Sequence, residues 1–141
     1  PRLGAPLMTS WTVTVRIYYE YTDFSGVVYH ANYLKYFERG RTEALREATG
    51  LAHSTLFEAD DPVAFTARNL EISYDRPARV DDLLTIETRV DEVRGARMVF
   101  AQRALRGDKV LATARVTIAC MDPTGRPRRL PKKMLEMMGR S

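Results

Sequence analysis

Residues Tyr19–Gly50 read YEYTDFSGVVYHANYLKYFERGRTEALREATG, and this stretch decides the fold. A polar loop centred on Asp23 leads through the apolar step Val27-Val28 to His30. A helix is then predicted from about Asn32 to Ala48. Tyr33, Phe37, Gly40, Ala44 and Ala48 recur at intervals of three and four and so share one face, which Leu34 and Leu45 widen. Asn32 is the expected N-cap, because its side chain can accept a bond from a first-turn amide. Gly50 suits the position just past the helix, where left-handed backbone is common. Gly40 is unusual, since glycine costs roughly 1 kcal/mol relative to alanine inside a helix. Its presence on the buried face predicts close backbone approach to another layer, such as a sheet curling around the helix. The alternative is a plain amphipathic helix that tolerates a glycine.

Working outward, the segment before this stretch alternates. Val13, Val15, Ile17 and Tyr19 face one way and Thr12, Thr14, Arg16 and Tyr18 the other, which predicts a half-buried strand over Thr12–Tyr19. Downstream, Leu51–Asp61 has no period and reads as a connection with a short helical turn. Pro62–Tyr74 is strand-like with a phase slip: Val63, Phe65 and Ala67 hold one parity, and Leu70, Ile72 and Tyr74 the other. A bulge near Arg68-Asn69 reconciles them and bends the strand. Leu84, Ile86, Thr88 and Val90 mark the next strand. Arg94-Gly95-Ala96-Arg97 and Arg106-Gly107-Asp108-Lys109 are hairpin connections. They flank strands over Met98–Leu105 and Val110–Cys120, and a short helix is expected over Lys132–Met138. Hairpin-linked strands with one central helix imply an antiparallel sheet in an α+β layer.

The 141-residue length favours one domain with a real core. We expect residues 1–10 to be a disordered or vector-derived extension and residues 11–141 to form the single domain. Hydrophobic residues make up 45% of the chain and charged residues 28%, which fits a globular rather than a disordered chain. The net charge of +4 favours anionic ligands. A lone cysteine, Cys120, excludes an intrachain disulfide and suggests a reducing, cytoplasmic compartment. No apolar run approaches a membrane span, and the basic residues form no aromatic–basic stripe for nucleic acid.

Several chemistries drop out on motif grounds. There is no G-x-S-x-G elbow, no phosphate-binding loop and no dinucleotide fingerprint. One cysteine and two distant histidines are too few for a zinc site. Cys120 sits on an apolar strand and reads as buried filler, and His53 reads as a surface residue. What remains is Asp23, with Tyr19 four residues before it and His30 seven after. A carboxylate beside an apolar step can be desolvated, which raises its pKa and makes it a better base or nucleophile. The helix start offers unpaired amides for an oxyanion. The other reading is that Asp23 caps a turn with Ser25-Gly26 and His30 merely packs.

The run Tyr19-Glu20-Tyr21-Thr22-Asp23-Phe24-Ser25-Gly26-Val27-Val28-Tyr29-His30-Ala31-Asn32-Tyr33 resembles the signature of the hotdog-fold acyl-CoA thioesterases. The likeness is nearest to the 4-hydroxybenzoyl-CoA thioesterase group and its Tol–Pal-associated, YbgC-like relatives, and it extends from Val13 to about Leu130. The resemblance implies a curved antiparallel sheet wrapped around one long central α-helix. It implies hydrolysis of an acyl-CoA thioester without a cofactor or metal. Asp23 would then be the catalytic carboxylate, with His30 and Tyr19 implicated beside it. The backbone amides of His30 and Ala31 would polarise the carbonyl. Phe24 and Ser25 stand where relatives often carry small residues, which bears on the acyl pocket. The resemblance also implies a homodimer with sites at the subunit interface, often paired again into a homotetramer. Coenzyme A is anionic, and Arg94, Arg97 and Arg128, with Arg126 and Arg129, are loop cations that would meet it. Two alternatives keep the fold: a non-catalytic module that binds acyl-CoA or acyl carrier protein, and a hotdog dehydratase or hydratase.

Overall fold

Alternating apolar residues at the start of the chain make an edge strand, β1 (Ser10–Arg16), that buries Trp11 and Val15. The computed structural model describes residues 10–50 and 62–138. Pro1–Leu7, the connection Leu51–Asp61 and His53 lie outside the described residues.

The strand expected to run to Tyr19 stops at Arg16. Ile17 is still fully buried, but its amide bonds Asp82 O and its carbonyl accepts from Asp81 N, so the chain leaves the sheet there. A single 3₁₀ turn over Tyr19–Tyr21 follows, which leaves Tyr18 and Tyr19 exposed. Strand parity therefore does not carry Tyr19 inward.

The long helix α1 (Asn32–Thr49) ends as expected at Gly50, whose φ of 73° is left-handed and whose amide returns to Arg46 O. Its start differs. Ala31, not Asn32, holds the cap position, and no side chain caps it. Asn32 lies inside the first turn, and its Nδ2 donates to Tyr21 O at 2.7 Å. It ties the helix to the preceding loop instead of satisfying the helix's own amides. The buried face is Tyr33, Tyr36, Phe37, Gly40, Ala44 and Leu45. Tyr36 was not among the residues read onto that face, although it lies three after Tyr33 and four before Gly40. In the fold its ring packs edge-on against Tyr21 and Tyr33. Leu34 is exposed instead.

Strands β2 (Ala64–Tyr74), β3 (Leu83–Arg94), β4 (Arg97–Arg106) and β5 (Lys109–Met121) join β1 in one antiparallel sheet, ordered β1-β3-β4-β5-β2. The sequence phase slip in β2 is a register shift between Ala67 and Asn69. A short helix α2 (Lys132–Met137) follows. Leu84, Ile86, Thr88 and Val90 point inward, as their spacing predicts. Fully burying a leucine or isoleucine contributes roughly 1.5–3 kcal/mol each.

Helix and sheet meet at Gly40. A Cβ there would lie 2.8 Å from Ile86 Cγ2 and Thr88 Oγ1, and 3.0 Å from Gln102 Nε2. The glycine lets the backbone close onto the sheet. Gln102, 1% exposed, uses that proximity: its Nε2 donates to Phe37 O at 2.9 Å and Thr88 Oγ1 at 2.8 Å. Its Oε1 accepts from Arg41 Nη1 at 3.1 Å. A buried amide needs such partners, since leaving one unsatisfied costs about 1–3 kcal/mol. One helix against an antiparallel five-stranded sheet is the hotdog arrangement that the resemblance implies. Among the described residues no helix is long and apolar enough to cross a membrane.

Candidate active site

Asp23 sits in a turn that its own side chain builds. Its Oδ1 accepts from Ser25 N at 2.9 Å, Ser25 Oγ at 2.6 Å and Val27 N at 3.4 Å. Asp23 N donates to Val27 O and Gly26 N to Asp23 O, with Gly26 at a left-handed φ of 79°. All three side-chain bonds fall on Oδ1, leaving Oδ2 clear of them. The expected desolvation is not what governs this carboxylate. The Ser25 hydroxyl, then the Ser25 amide, hold it below its ordinary range, and burial opposes them only weakly. Among the described residues of one chain, Asp23 is exposed.

The turn is pinned to the body of the fold. Val28 N donates to Ala78 O, Val80 N to Gly26 O, and Val27 bridges Arg79. Tyr29 N reaches back to Tyr21 O at 3.1 Å. From Val28 the chain needs only three residues to reach α1. Tyr33 N bonds His30 O and Leu34 N bonds Ala31 O, so the carbonyls at this helix start are used. The amides of His30 and Ala31 donate to no acceptor among the described residues. The Ala31 amide is an orphan donor expected at a helix N-terminus and the His30 amide precedes it by one residue, with the positive end of the helix dipole behind both.

His30 is exposed on its outer side and stacked on Tyr74 on the other, with ring centroids 4.2 Å apart and planes 11° from parallel. A cavity of about 240 Å³ opens beside this pair, lined by Val27, Val28, His30, Tyr33, Tyr74 and Arg76 among others. No hydrogen bond joins Asp23 to His30 among the described residues. Tyr19 is 72% exposed, and among the described residues its carbonyl accepts from the Thr22 amide and hydroxyl.

The arginines divide. Arg94 and Arg97 pair across the β3–β4 hairpin, and Arg94 meets Glu92 at 3.4 Å. Arg128 bonds Cys120 O through its amide and Pro62 O through Nη1. All three stand at the end of the sheet opposite Asp23, whose loop follows β1 and meets the turn before β3. The twelve-residue β3 spans that gap, which is about 40 Å at the usual strand rise. A single chain therefore does not bring these cations to Asp23. Cations at the Asp23 end, Arg76 and Arg79 with Arg16 and Arg106 among them, were not singled out from the sequence. The place of Arg76 and Arg79 follows only from the Val27–Arg79 bridge and the end of β2, which sequence spacing does not reveal. Cys120 is buried, as expected.

A second, larger cavity of about 390 Å³ lies between α1 and strands β2, β4 and β5, lined by Leu34, Leu45, Phe65, Leu70, Met98 and Phe100 with Glu38 and Arg41. Burial pushes the Arg41 guanidinium below its usual range, and Glu38 opposes the shift.

Comparison with known proteins locates this architecture. A family model described as "Thioesterase superfamily" matches residues 25–113, a span that begins two residues after Asp23. The chain is 47% identical to the acyl-CoA thioesterase YbgC of Haemophilus influenzae over 116 residues, 82% of this chain and 84% of that protein. It is 42% identical to the acyl-CoA thioester hydrolase YbgC of Escherichia coli over 123 residues, covering 86% and 90% of the two chains. Among solved structures, a probable thioesterase from Bartonella henselae aligns with a TM-score of 0.82 at 46% identity, over 87% of this chain and all of that one. A mutant 4-hydroxybenzoyl-CoA thioesterase complexed with 4-hydroxybenzoyl-CoA aligns with a TM-score of 0.84 at 19% identity, over 92% and 98%, a likeness of fold.

Proposed function

Because the chain belongs to the thioesterase superfamily, we propose that it hydrolyses acyl-CoA thioesters at the junction of the Asp23 turn and α1. The observation that carries this reading is the pair of unengaged amides, His30 and Ala31, a few residues beyond a carboxylate with one oxygen clear. A thioester carbonyl placed on those amides is polarised as charge builds on its oxygen. Asp23 either draws a proton from water as that water adds to the carbonyl carbon, or adds to the carbon itself and is released by water. In both routes the carbon–sulfur bond breaks, the sulfur leaves as thiolate and takes a proton, and the products are free acid and coenzyme A. His30 borders the approach to the carbonyl and Tyr19 flanks the loop.

The reading includes a second copy of the chain, as homodimer and, paired again, homotetramer. Strand β2 is a sheet edge whose Leu70 and Tyr74 are 39% and 40% exposed. Such an edge leaves amides and carbonyls open to another strand. If two β2 strands pair antiparallel, the second copy's Pro62 end lies beside this chain's Tyr74 end. Arg128, bound to Pro62 O, would travel with it and reach the site that a single chain denies it. Arg94 and Arg97 come from the same end and would face the phosphates of coenzyme A. We place the enzyme in the cytoplasm on the strength of its lone, buried cysteine.

The exposure of Asp23 favours one rival: a module that binds acyl-CoA or acyl carrier protein without turnover. Purified protein assayed for free thiol against short-chain, long-chain and aromatic acyl-CoA thioesters separates the two. We expect turnover of at least one class, lost in Asp23→Asn. Binding without thiol release, or an Asp23→Asn variant as active as the parent, rejects the hydrolase.

A further inference from the structure

Tyr74 is the last residue of β2, and its backbone is fixed to β5. It pairs with Ala112, and the next two amides, Asp75 N and Arg76 N, both donate to Leu111 O. Its side chain turns toward the helix start. The ring lies flat on His30, and its Oη donates to His30 O at 3.3 Å. Tyr33, buried on α1, packs edge-on against it with centroids 5.4 Å apart. His30 is thus held through ring and carbonyl by a residue whose own position is set by the sheet.

The β2 bulge is what aims it there. Side chains alternate along a strand, so Phe65 and Tyr74 would face opposite ways in an unbroken strand. The register shift between Ala67 and Asn69 inserts one residue. Phe65 and Ala67 before it and Leu70 after it accordingly line the same cavity on the helix side. Tyr74 has the parity of Leu70, and so it meets His30.

We propose that Tyr74 is a positioning residue for hydrolysis: it fixes the His30 peptide so that the amides of His30 and Ala31 stay aimed at the substrate carbonyl. This rests on the thioesterase reading, since it acts through the oxyanion donors assigned there. The amide of Ala31 belongs to the same peptide unit as the His30 carbonyl that Tyr74 holds, so a tilt of that peptide moves the donor directly. Contacts to a developing oxyanion are made chiefly in the transition state, so misaiming them lowers kcat and leaves KM nearly unchanged. A displacement of about 1 Å costs on the order of 100-fold.

The test uses Tyr74→Phe, which keeps the stack and loses the hydroxyl, and Tyr74→Leu, which loses both. Steady-state kinetics are combined with the imidazole proton resonances of His30. These are read in a His53→Gln background, because the chain has only two histidines. We expect Tyr74→Leu to cut kcat by about 10- to 100-fold at near-parental KM. Its His30 ring protons should move downfield as they leave the shielding face of the tyrosine. Tyr74→Phe should keep the shielded resonance and lose less kcat than Tyr74→Leu, because the ring still holds the imidazole while the His30 carbonyl is released. A Tyr74→Leu variant with unchanged kcat overturns the proposal, whether or not the His30 resonance moves. So does a loss of kcat in Tyr74→Leu with the His30 resonance unmoved, which would place the cause of the loss away from His30. Because the resonance is read without substrate, a protein that hydrolyses no thioester still reports whether Tyr74 holds His30. Failure of the enzyme reading and failure of this one are thereby told apart.

Discussion

Two loops of this chain are chemically the same turn. In Asp23-Phe24-Ser25-Gly26-Val27, the aspartate Oδ1 accepts from a hydroxyl at 2.6 Å, an amide at 2.9 Å and a second amide at 3.4 Å. In Asp122-Pro123-Thr124-Gly125-Arg126 the corresponding distances are 2.6, 2.9 and 3.0 Å. Both have a glycine at positive φ, 79° and 87°, and both carboxyls are held below their ordinary range, first of all by the neighbouring hydroxyl. Each is closed by an antiparallel bridge, Thr22 to Val28 and Met121 to Pro127. The turn and its acidic carboxyl are therefore structural properties that a D-x-S/T-G sequence gives wherever it lies. What sets the first loop apart is its destination. It delivers the chain within a few residues to the start of an 18-residue helix, beside the His30–Tyr74 stack. The second follows β5 and leads to a six-residue helix at the other end of the sheet.

The strongest way to break that comparison is to neutralise both carboxyls. Asparagine keeps an Oδ1 acceptor, so both turns should survive. Asp23→Asn is expected to cost about 100- to 10,000-fold in kcat on whichever acyl-CoA the parent hydrolyses best. Asp122→Asn should stay near the parent. Thiol-release kinetics on the two purified variants decide it. Equal, small losses would mean that the first turn is no more than the second.

Stability draws the contrast elsewhere, at the helix–sheet contact and not at either turn. Gly40→Ala puts a methyl 2.8 Å from Ile86 Cγ2 and Thr88 Oγ1. Ile86 is a branched side chain fixed on the sheet, and Thr88 is tied to Gln102, so neither yields readily. Overpacking of this kind costs typically about 1–3 kcal/mol, more than the roughly 1 kcal/mol that alanine returns in helix propensity. Urea unfolding should show a lower midpoint with an unchanged slope.

Much of this was legible in the sequence because it depends on local period. The inward set Leu84, Ile86, Thr88 and Val90, the bulge in β2, the Gly50 terminus and the meaning of Gly40 all follow from spacing within a dozen residues. What was not legible depends on contacts far apart in the chain. Asn32 looked like a cap, but Tyr21 O, eleven residues back, competes for its amide. Tyr19 looked like a continuing strand face, but the bonds between Ile17 and residues 81 and 82 end the strand first. Asp23 looked desolvated because Val27-Val28 is apolar. Only Val28 is fully buried there, and the carboxyl turns back to Ser25. Tyr74 carried no motif at all, and its meeting with His30 across 44 residues exists only in the fold.

The two glycines sharpen the comparison at a smaller scale. A left-handed conformation costs a non-glycine residue roughly 1–2 kcal/mol, and among the described residues other than its chain neighbours neither Gly26 nor Gly125 has an atom within 4 Å of an added Cβ. Strain alone is thus introduced. Gly26→Ala and Gly125→Ala should lower the thermal midpoint by similar amounts. Only Gly26→Ala should also reduce turnover, because Val27 and the approach to His30 follow it directly.

The smallest effect is the most discriminating about the carboxyls. Ser25→Ala and Thr124→Ala each remove the hydroxyl that does most to hold its aspartate acidic, so each folded pKa should rise back toward its ordinary value. A depressed folded pKa stabilises the protein above the unfolded value of about 3.9, and that contribution is lost as pH falls through the folded value. Both variants should therefore lower the urea midpoint at pH 6 and narrow its difference from the midpoint at pH 3. The activity profile should separate them. If Asp23 works as an ionised group, the acid limb of kcat/KM moves to higher pH in Ser25→Ala and stays in place in Thr124→Ala. An acid limb that ignores Ser25 would assign it to another group.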